Sequence, residues 1–421
     1  MTNDLNRALS GALRTAARDA PEPGADLLER VEQGYRRRRR RRRTAAAVLS
    51  VAVLLGGTGI AGAGLRPDGP PPVAAEPSGL APVSAAELGK PVPVRQKWPD
   101  AVRTLPARMP DGRAYRPVTL LDPRTLLVTT ESRFERADML WVYDLPNRRA
   151  KEVAEVIIPP GSKIFPSDFT VAAGRIVWWL VTAAGGRETL EFWTAPLAGG
   201  EPRRLAAMPQ AGARMGGMLI DGGQLVWTMA GTGDGAAVYR MPLSGGVPRK
   251  IPGTEGLQIL SWPWAGAPGE RSGARVGDVR FKSIRNLQTG ERRTAGVASF
   301  KGVWECAVNW CLGGPASDVI YDGSELVTAV QRRNGRDGRS LPADAGMPGG
   351  ILYERFVPYR TRGAASRNHI LYDLETGTLL DTGVRQGNGG ISANPRKDAR
   401  DPLIFLTSGN RKVLIDLSEI R

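Results

Sequence analysis

Chemistry in this chain has to come from few residue types. It has two cysteines, Cys306 and Cys311, and one histidine, His369. The cysteines stand in VWECAVNWCLG with four residues between them. Two such thiols pair readily in an oxidising compartment if the chain bends at Asn309, so a disulfide is the expected state and free thiols are the alternative. A metal site is the weakest reading, because two cysteines and one distant histidine fall short of a four-ligand zinc cage. A Ser or Cys triad would have to run through His369, in SRNHILYDL, and no GxSxG nucleophile elbow occurs. A lone histidine at a strand start is normally a surface or hydrogen-bonding residue. Asp221, Asp234 and Asp322 stand beside glycines, where Asp serves turn geometry, and paired-carboxylate chemistry has no positive support. No catalytic residue, metal or cofactor is therefore expected. Of the ten tryptophans, Trp178, Trp179 and Trp227 lie in apolar strands, whereas Trp262 and Trp264, in SWPWAGAPGERSG, are candidate ligand contacts on a loop.

The elements that would carry these residues repeat. An aromatic or apolar strand, a leucine corner, a glycine-bearing turn and a basic strand recur in WVYDLPNRRAKEV, FWTAPLAGGEPRRLA, VYRMPLSGGVPRKIP, IRNLQTGERRTAG, LYDLETGTLLDTG and VLIDLSEIR. The corners are Leu145, Leu197, Leu243, Leu287, Leu374 and Leu417, and the gaps between them are 52, 46, 44, 87 and 43 residues. The long gap is close to two periods, so a degenerate copy with its corner near Arg333 is expected, making seven copies, with six as the alternative. A period of 40 to 50 residues built from short strands is the pattern of a β-propeller, one blade per copy. The last copy stops short of an outer strand, which Lys97 to Met109 could supply, closing the ring between the chain ends. On these copies residues 97–421 resemble TolB-like and WD40-like bacterial propellers. That resemblance implies an all-β propeller and leaves activity open, since such propellers serve as enzymes, scaffolds and binding modules.

Ahead of the repeats the chain is organised by charge. The formal net charge is +16, and residues 1–43 hold 12 arginines against 6 acids. Arg36, Arg37, Arg38, Arg39, Arg40, Arg41, Arg42 and Arg43 form an unbroken cationic block, followed by 22 uncharged residues, Thr44 to Leu65. As a helix this run covers about 33 Å, enough for the hydrocarbon core of a bilayer. The positive-inside rule sets the N-terminus in the cytoplasm, with the remainder extracytoplasmic. Gly57, Gly59 and Gly62 match GxGxxG, but RPDGPPP follows them instead of a helix, so a dinucleotide site is not expected. A cleaved secretory signal fits poorly with so long a leader and core. Set beside the span, the arginines suit anionic lipid headgroups better than nucleic acid, and no nucleic-acid partner is expected.

In the tail, Leu5, Leu9 and Leu13 have helical spacing, and Leu27, Leu28, Val31 and Tyr35 share one face of a second short helix capped by Asp26 and Glu29. Such helices need a surface to fold against: the membrane, or a cytoplasmic regulatory protein. The run DLLERVEQGYRRRRRRRR, one span and a Pro-rich stalk resembles membrane partners of extracytoplasmic-function sigma factors in high-GC Gram-positive bacteria. The His and Cys zinc motif that many anti-sigma domains carry is absent.

The expected organisation is a cytoplasmic tail, 1–43; a transmembrane helix, 44–65; a Pro-rich stalk, 66–96; and a β-propeller, 97–421. The expected function is a non-enzymatic binding or sensing module outside the cell membrane, able to signal to a cytoplasmic sigma-factor partner. A structural envelope scaffold is the first alternative and a propeller hydrolase the second. The expected partners are the bilayer, an extracytoplasmic protein or anionic envelope polymer, and a cytoplasmic regulatory protein.

Overall fold

The computed structural model describes residues 79–421 apart from 134–135, 167, 211–212, 232–235, 270–274, 315–327, 343–349, 360–367, 386–401 and 409–410. Hairpins dominate because the chain alternates apolar strands with turns that only certain residues fit. Arg175–Ala184 (RIVWWLVTAA) pairs with Arg187–Pro196 through the two-residue loop Gly185-Gly186, whose φ values of 56° and 75° are those of a tight hairpin turn open to glycine.

Among the described residues, consecutive hairpins build seven mainly antiparallel sheets, six with four or more strands and one with three. In the first blade Tyr115–Asp122, Thr125–Arg133, Arg136–Asp144 and Arg149–Glu155 lie side by side in chain order. The second and third blades repeat this order, with second strands, RIVWWLVTAA and QLVWTMA, rich in β-branched and aromatic residues. The fifth contains Val303–Cys306 and Trp310–Gly314, and the degenerate copy around Arg333 belongs to it. The three-stranded sheet joins Leu403–Ser408 and Arg411–Asp416 to Val102–Pro106, with Val102 opposite Ile415 and Pro106 opposite Arg411. The ring is thus closed by an outer strand from the N-terminal side, as the sequence predicts.

Seven apolar layers weld each sheet to the next. Within Arg175–Ala184, Ile176 and Trp178 pack toward the first blade with Leu127 and Leu140, whereas Val177, Trp179 and Val181 pack toward the third with Leu225 and Trp227. Side chains alternate between strand faces, so a strand covered on both faces reads as a continuous apolar run. Leu371 and Leu380 of the sixth blade meet Ile404 and Ile415 of the seventh, and Leu105, Leu403 and Leu414 of the seventh meet Leu126 and Val128 of the first. The succession of layers returns to its start, which makes the assembly an all-β propeller.

One difference concerns the Pro-rich stalk, 66–96. Ala81–Pro82 pairs in parallel with Arg339–Ser340 of the fifth blade, and Val92–Pro93 pairs in parallel with Leu380–Asp381 of the sixth. Between them Ser84 caps a single helical turn, Ala85–Leu88, accepting the Glu87 N–H while the Glu87 carboxylate accepts the Ser84 N–H. Val94 is fully buried against the sixth and seventh blades. Proline composition suggests a free spacer, but the described part of it, 79–96, is a strap seated on sheet edges that have no other partner among the described residues, so the propeller begins ahead of residue 97. The tail, the arginine block, the span 44–65, and with them Leu27, Leu28, Val31 and Tyr35, lie outside the described residues. Among the described residues no helix is long and apolar enough to cross a membrane.

Candidate functional site

Where the closing strand meets the first blade, a cleft of about 850 Å³ opens. Arg103, on Val102–Pro106, and Arg108, just beyond it, line one side with Arg411, the first residue of the neighbouring strand. The other side is the corner of the first blade, with Tyr143, Leu145 and Arg148. Tyr115 fastens the two sides. Its ring stacks on that of Tyr143 with centroids 6.2 Å apart, and its hydroxyl donates to the Pro106 carbonyl at 2.7 Å.

The corner has a defined local chemistry. Asp144 accepts hydrogen bonds from Asn147 N–H at 3.0 Å and Asn147 Nδ2 at 2.9 Å, and the turn then closes through Arg148 at φ 52°. Two other corners are built alike. Asn286 and Asp373 accept from the turn N–H groups, and the closing positions are Gly290 at φ 79° and Gly377 at φ 72°. Glycine adopts this left-handed conformation without penalty, whereas a side chain there costs roughly 1 kcal/mol. Arg148 is the exception among these three corners, and its side chain lines the cleft.

The cleft is one-sided electrostatically. Four arginines line it and no lining residue carries a carboxylate. Burial pushes the Tyr143 phenol above its ordinary pKa; the Arg148 guanidinium works against that and the Asp144 carboxylate adds to it. The hydroxyl therefore stays protonated at neutral pH, as a donor. Burial also raises the Tyr115 phenol and lowers the ammonium of Lys412, which sits 5.4 Å over the Tyr115 ring. Tyr143 is only 1% exposed, yet among the described residues its hydroxyl has no hydrogen-bond partner, nor does the buried Nη1 of Arg103. Buried polar atoms are ordinarily paired, so two orphaned donors on the two sides of the cleft, beside arginines with no carboxylate in the lining, are a feature of the site. The lining offers hydrogen-bond donors and positive charge but no nucleophile with a base beside it. It can hold and polarise an anion, and Tyr143 and Thr104 are its neutral hydroxyl donors.

The residues singled out in the sequence lie elsewhere. Cys306 and Cys311 are disulfide-bonded and face each other across the first hairpin of the fifth blade, Cα to Cα 3.9 Å. Trp262 and Trp264 are 8% and 7% exposed. Trp262 packs with Val226 and Val238, Trp264 packs with Ile284, and the Arg293 guanidinium lies 4.2 Å over the Trp264 ring. The flanking Pro and Gly suggest a surface loop, but the packing of the third, fourth and fifth blades buries both rings, which corrects their expected role as ligand contacts. His369 lies in the strand Asn368–Asp373, where its carbonyl accepts from the Thr382 hydroxyl at 2.8 Å. Asp221 accepts from Gln288 Nε2 at 3.1 Å; Asp234 and Asp322 lie outside the described residues. Among the described residues no group of three His, Cys, Asp or Glu side chains could hold a metal ion.

Sequence reasoning missed the arginine cleft altogether. Its residues come from 103–108, 143–148 and 411, which nothing in the linear pattern brings together. One signal was present: aligning the corners sets Arg148 against Gly290 and Gly377.

No protein-family model matches the chain, and no curated protein matches it. Solved structures do. An oligogalacturonate lyase in complex with manganese is 12% identical, with 79% of this chain and 90% of that one covered and a TM-score of 0.35. The β-propeller domain of the Trilobed protease from Pyrococcus furiosus is 11% identical, with 71% and 94% covered and a TM-score of 0.42. A protein described as TolB from Agrobacterium tumefaciens is 12% identical, with 72% and 90% covered and a TM-score of 0.28. The expectation of a non-enzymatic binding or sensing module is not upheld: the propellers in this set include a lyase and a protease domain as well as TolB. The propeller fold rests on this chain's own sheets, and no substrate, metal or mechanism passes from those proteins to this chain.

Proposed function

We propose that the protein is a propeller enzyme of the hydrolase class whose substrate is anionic and is held in the arginine cleft. The observation that supports this is the convergence of Arg103, Arg108, Arg148 and Arg411 on one cleft whose lining has no carboxylate. Guanidinium groups pair with carboxylate and phosphate oxygens through parallel N–H donors. The same groups can neutralise charge that builds on a substrate as a bond breaks. A net positive charge on the head raises the rate at which acidic polymers arrive.

The test is turnover. The full chain is incubated with a polyuronate, a polyol phosphate polymer and an uncharged glucan, beside an R103Q/R411Q variant. The expected result is cleavage of an anionic polymer that falls steeply with salt and is lost in the variant. Equal cleavage of the uncharged glucan, or no cleavage of any polymer, would overturn the reading.

Localisation and partners belong to the same proposal and rest on the sequence. Thr44 to Leu65 crosses the cell membrane, Arg36 to Arg43 lie against anionic headgroups, and the propeller works outside on an anionic envelope polymer. Leu27, Leu28, Val31 and Tyr35 form a docking face for a cytoplasmic regulatory protein. Protease added to intact cells should digest the C-terminal three quarters and spare the tail.

A further inference from the structure

We infer that Arg148, Arg103 and Tyr143 form an oxyanion subsite at the corner of the first blade, which grips one ionised carboxylate or phosphate group of the ligand. This rests on the cleft as the substrate site but makes a narrower claim. It assigns the recognition of a single charged group to three named residues and leaves Arg108 and Arg411 to general attraction.

Three independent observations converge. The first is conformational. At the equivalent turn position the corners of the fourth and sixth blades have Gly290 and Gly377, both at positive φ, while the first blade keeps Arg148 at φ 52°. The capping side chains Asp144, Asn286 and Asp373 make the same kind of turn, so the fold itself would accept glycine at 148. A strained residue that the turn does not need points to work for its side chain. The second is hydrogen bonding. The Tyr143 hydroxyl and Arg103 Nη1 are buried without partners among the described residues, and both residues line the cleft. Each is a donor awaiting an acceptor. The third is charge. Arg148 and Arg103 face no carboxylate in the lining, and Arg108 already donates to the Gly112 carbonyl at 2.8 Å. The complement of this set is a group that only accepts and carries negative charge. Carboxylate and phosphate share those properties, and the guanidinium fork fits both.

The subsite predicts an unusual pairing of effects. R148G replaces a strained residue by the one used in the sister corners, and Y143F deletes an unpaired buried hydroxyl. Without ligand, both variants should melt at the same temperature as the wild type or higher. Titrated with glucuronate and with glycerol 3-phosphate at low salt, the wild type should bind at least one of them. Each variant should bind that anion at least five- to tenfold more weakly. R108Q should lose only a salt-sensitive two- to threefold. Whichever probe binds more tightly identifies the oxyanion as carboxylate or phosphate. Unchanged affinity in R148G and Y143F, a melting temperature below the wild type in either, or binding of neither anion by the wild type would overturn the subsite. The outcome is separable from that of the proposed activity. Monoanion binding that depends on Arg148 without polymer cleavage retires the enzyme and keeps the subsite, whereas cleavage with R148G fully competent does the reverse.

Discussion

Arg355 holds Asp373 through two parallel hydrogen bonds, Nε to Oδ1 at 2.8 Å and Nη2 to Oδ2 at 2.6 Å, while its Nη1 donates to the Ile420 carbonyl at 2.9 Å. One guanidinium thereby ties the corner of the sixth blade to the C-terminal residues that follow the last strand of the ring. Asp373 is 2% exposed and also accepts from the Glu375 N–H and the Thr376 hydroxyl.

The pH dependence of this pair has a definite sign. Burial works to raise the Asp373 carboxyl, but the Arg355 hydrogen bonds, the Thr376 hydroxyl and the Arg355 charge prevail, and its pKa lies below the ordinary value. A carboxyl depressed in the folded state contributes stability above its unfolded pKa of about 4 and loses it as pH falls through the native value. Urea midpoints should therefore show no contribution to pH dependence from this pair between about pH 5 and 8, then fall below about pH 4. D373N should cost about 3 kcal/mol at neutral pH, as expected when one partner of a buried pair is removed, and should flatten the acid limb.

Arg333 stitches the fourth and fifth blades. It is 4% exposed and donates to the carbonyls of Phe281, Lys282, Cys306 and Ala307. Burial lowers its pKa to about 10, with Glu354 opposing that and Arg293 adding to it, so it is still charged at neutral pH. R333M should destabilise by about 2 to 4 kcal/mol by leaving buried carbonyls without donors. R333K, which keeps the charge but not the fork, should recover less than half of that in chemical denaturation.

The Cys306–Cys311 bond closes a very short loop between strands that already pair. Loop-closure entropy for about six residues gives roughly 2 kcal/mol. C306A/C311A should unfold at correspondingly lower denaturant with an unchanged slope, and reductant should shift the wild type by a similar amount while leaving the variant unmoved.

Val94 tests the strap. Fully buried between the sixth and seventh blades, it should cost about 2 kcal/mol when changed to Ala and more than about 3 kcal/mol when changed to Asp, which buries an unpaired charge. A chain starting at Trp98 should melt well below one starting at Gly79. Equal melting temperatures would mean that the strap contributes nothing to the propeller.

The corner leucines illustrate what is local. Leu145, Leu287 and Leu374 each follow an Asx residue that caps a turn of fixed length, so the spacing of blades is written in short-range chemistry and can be counted without coordinates. The apolar runs around Trp178 and Trp227 likewise declare strands covered on both faces. The missing outer strand of the last copy was also legible, because an incomplete repeat at one end needs a complement from the other.

What the chain could not announce was assembled across long separations. Arg103 and Arg411 reach one cleft because Val102–Pro106 runs antiparallel to Arg411–Asp416, and Arg148 joins them only when the closing blade packs on the first. Trp262 and Trp264 carry loop-like flanks, and only the packing of adjacent blades decides that they are core. The strap is a similar case: proline density predicts an extended segment, and extended it is, but whether it hangs free or pairs with Leu380 and Arg339 depends on two sheet edges formed some 250 to 290 residues later. Periodicity is a property of neighbours in sequence, whereas a cleft is a property of neighbours in space. Ring closure is the step that converts the first into the second.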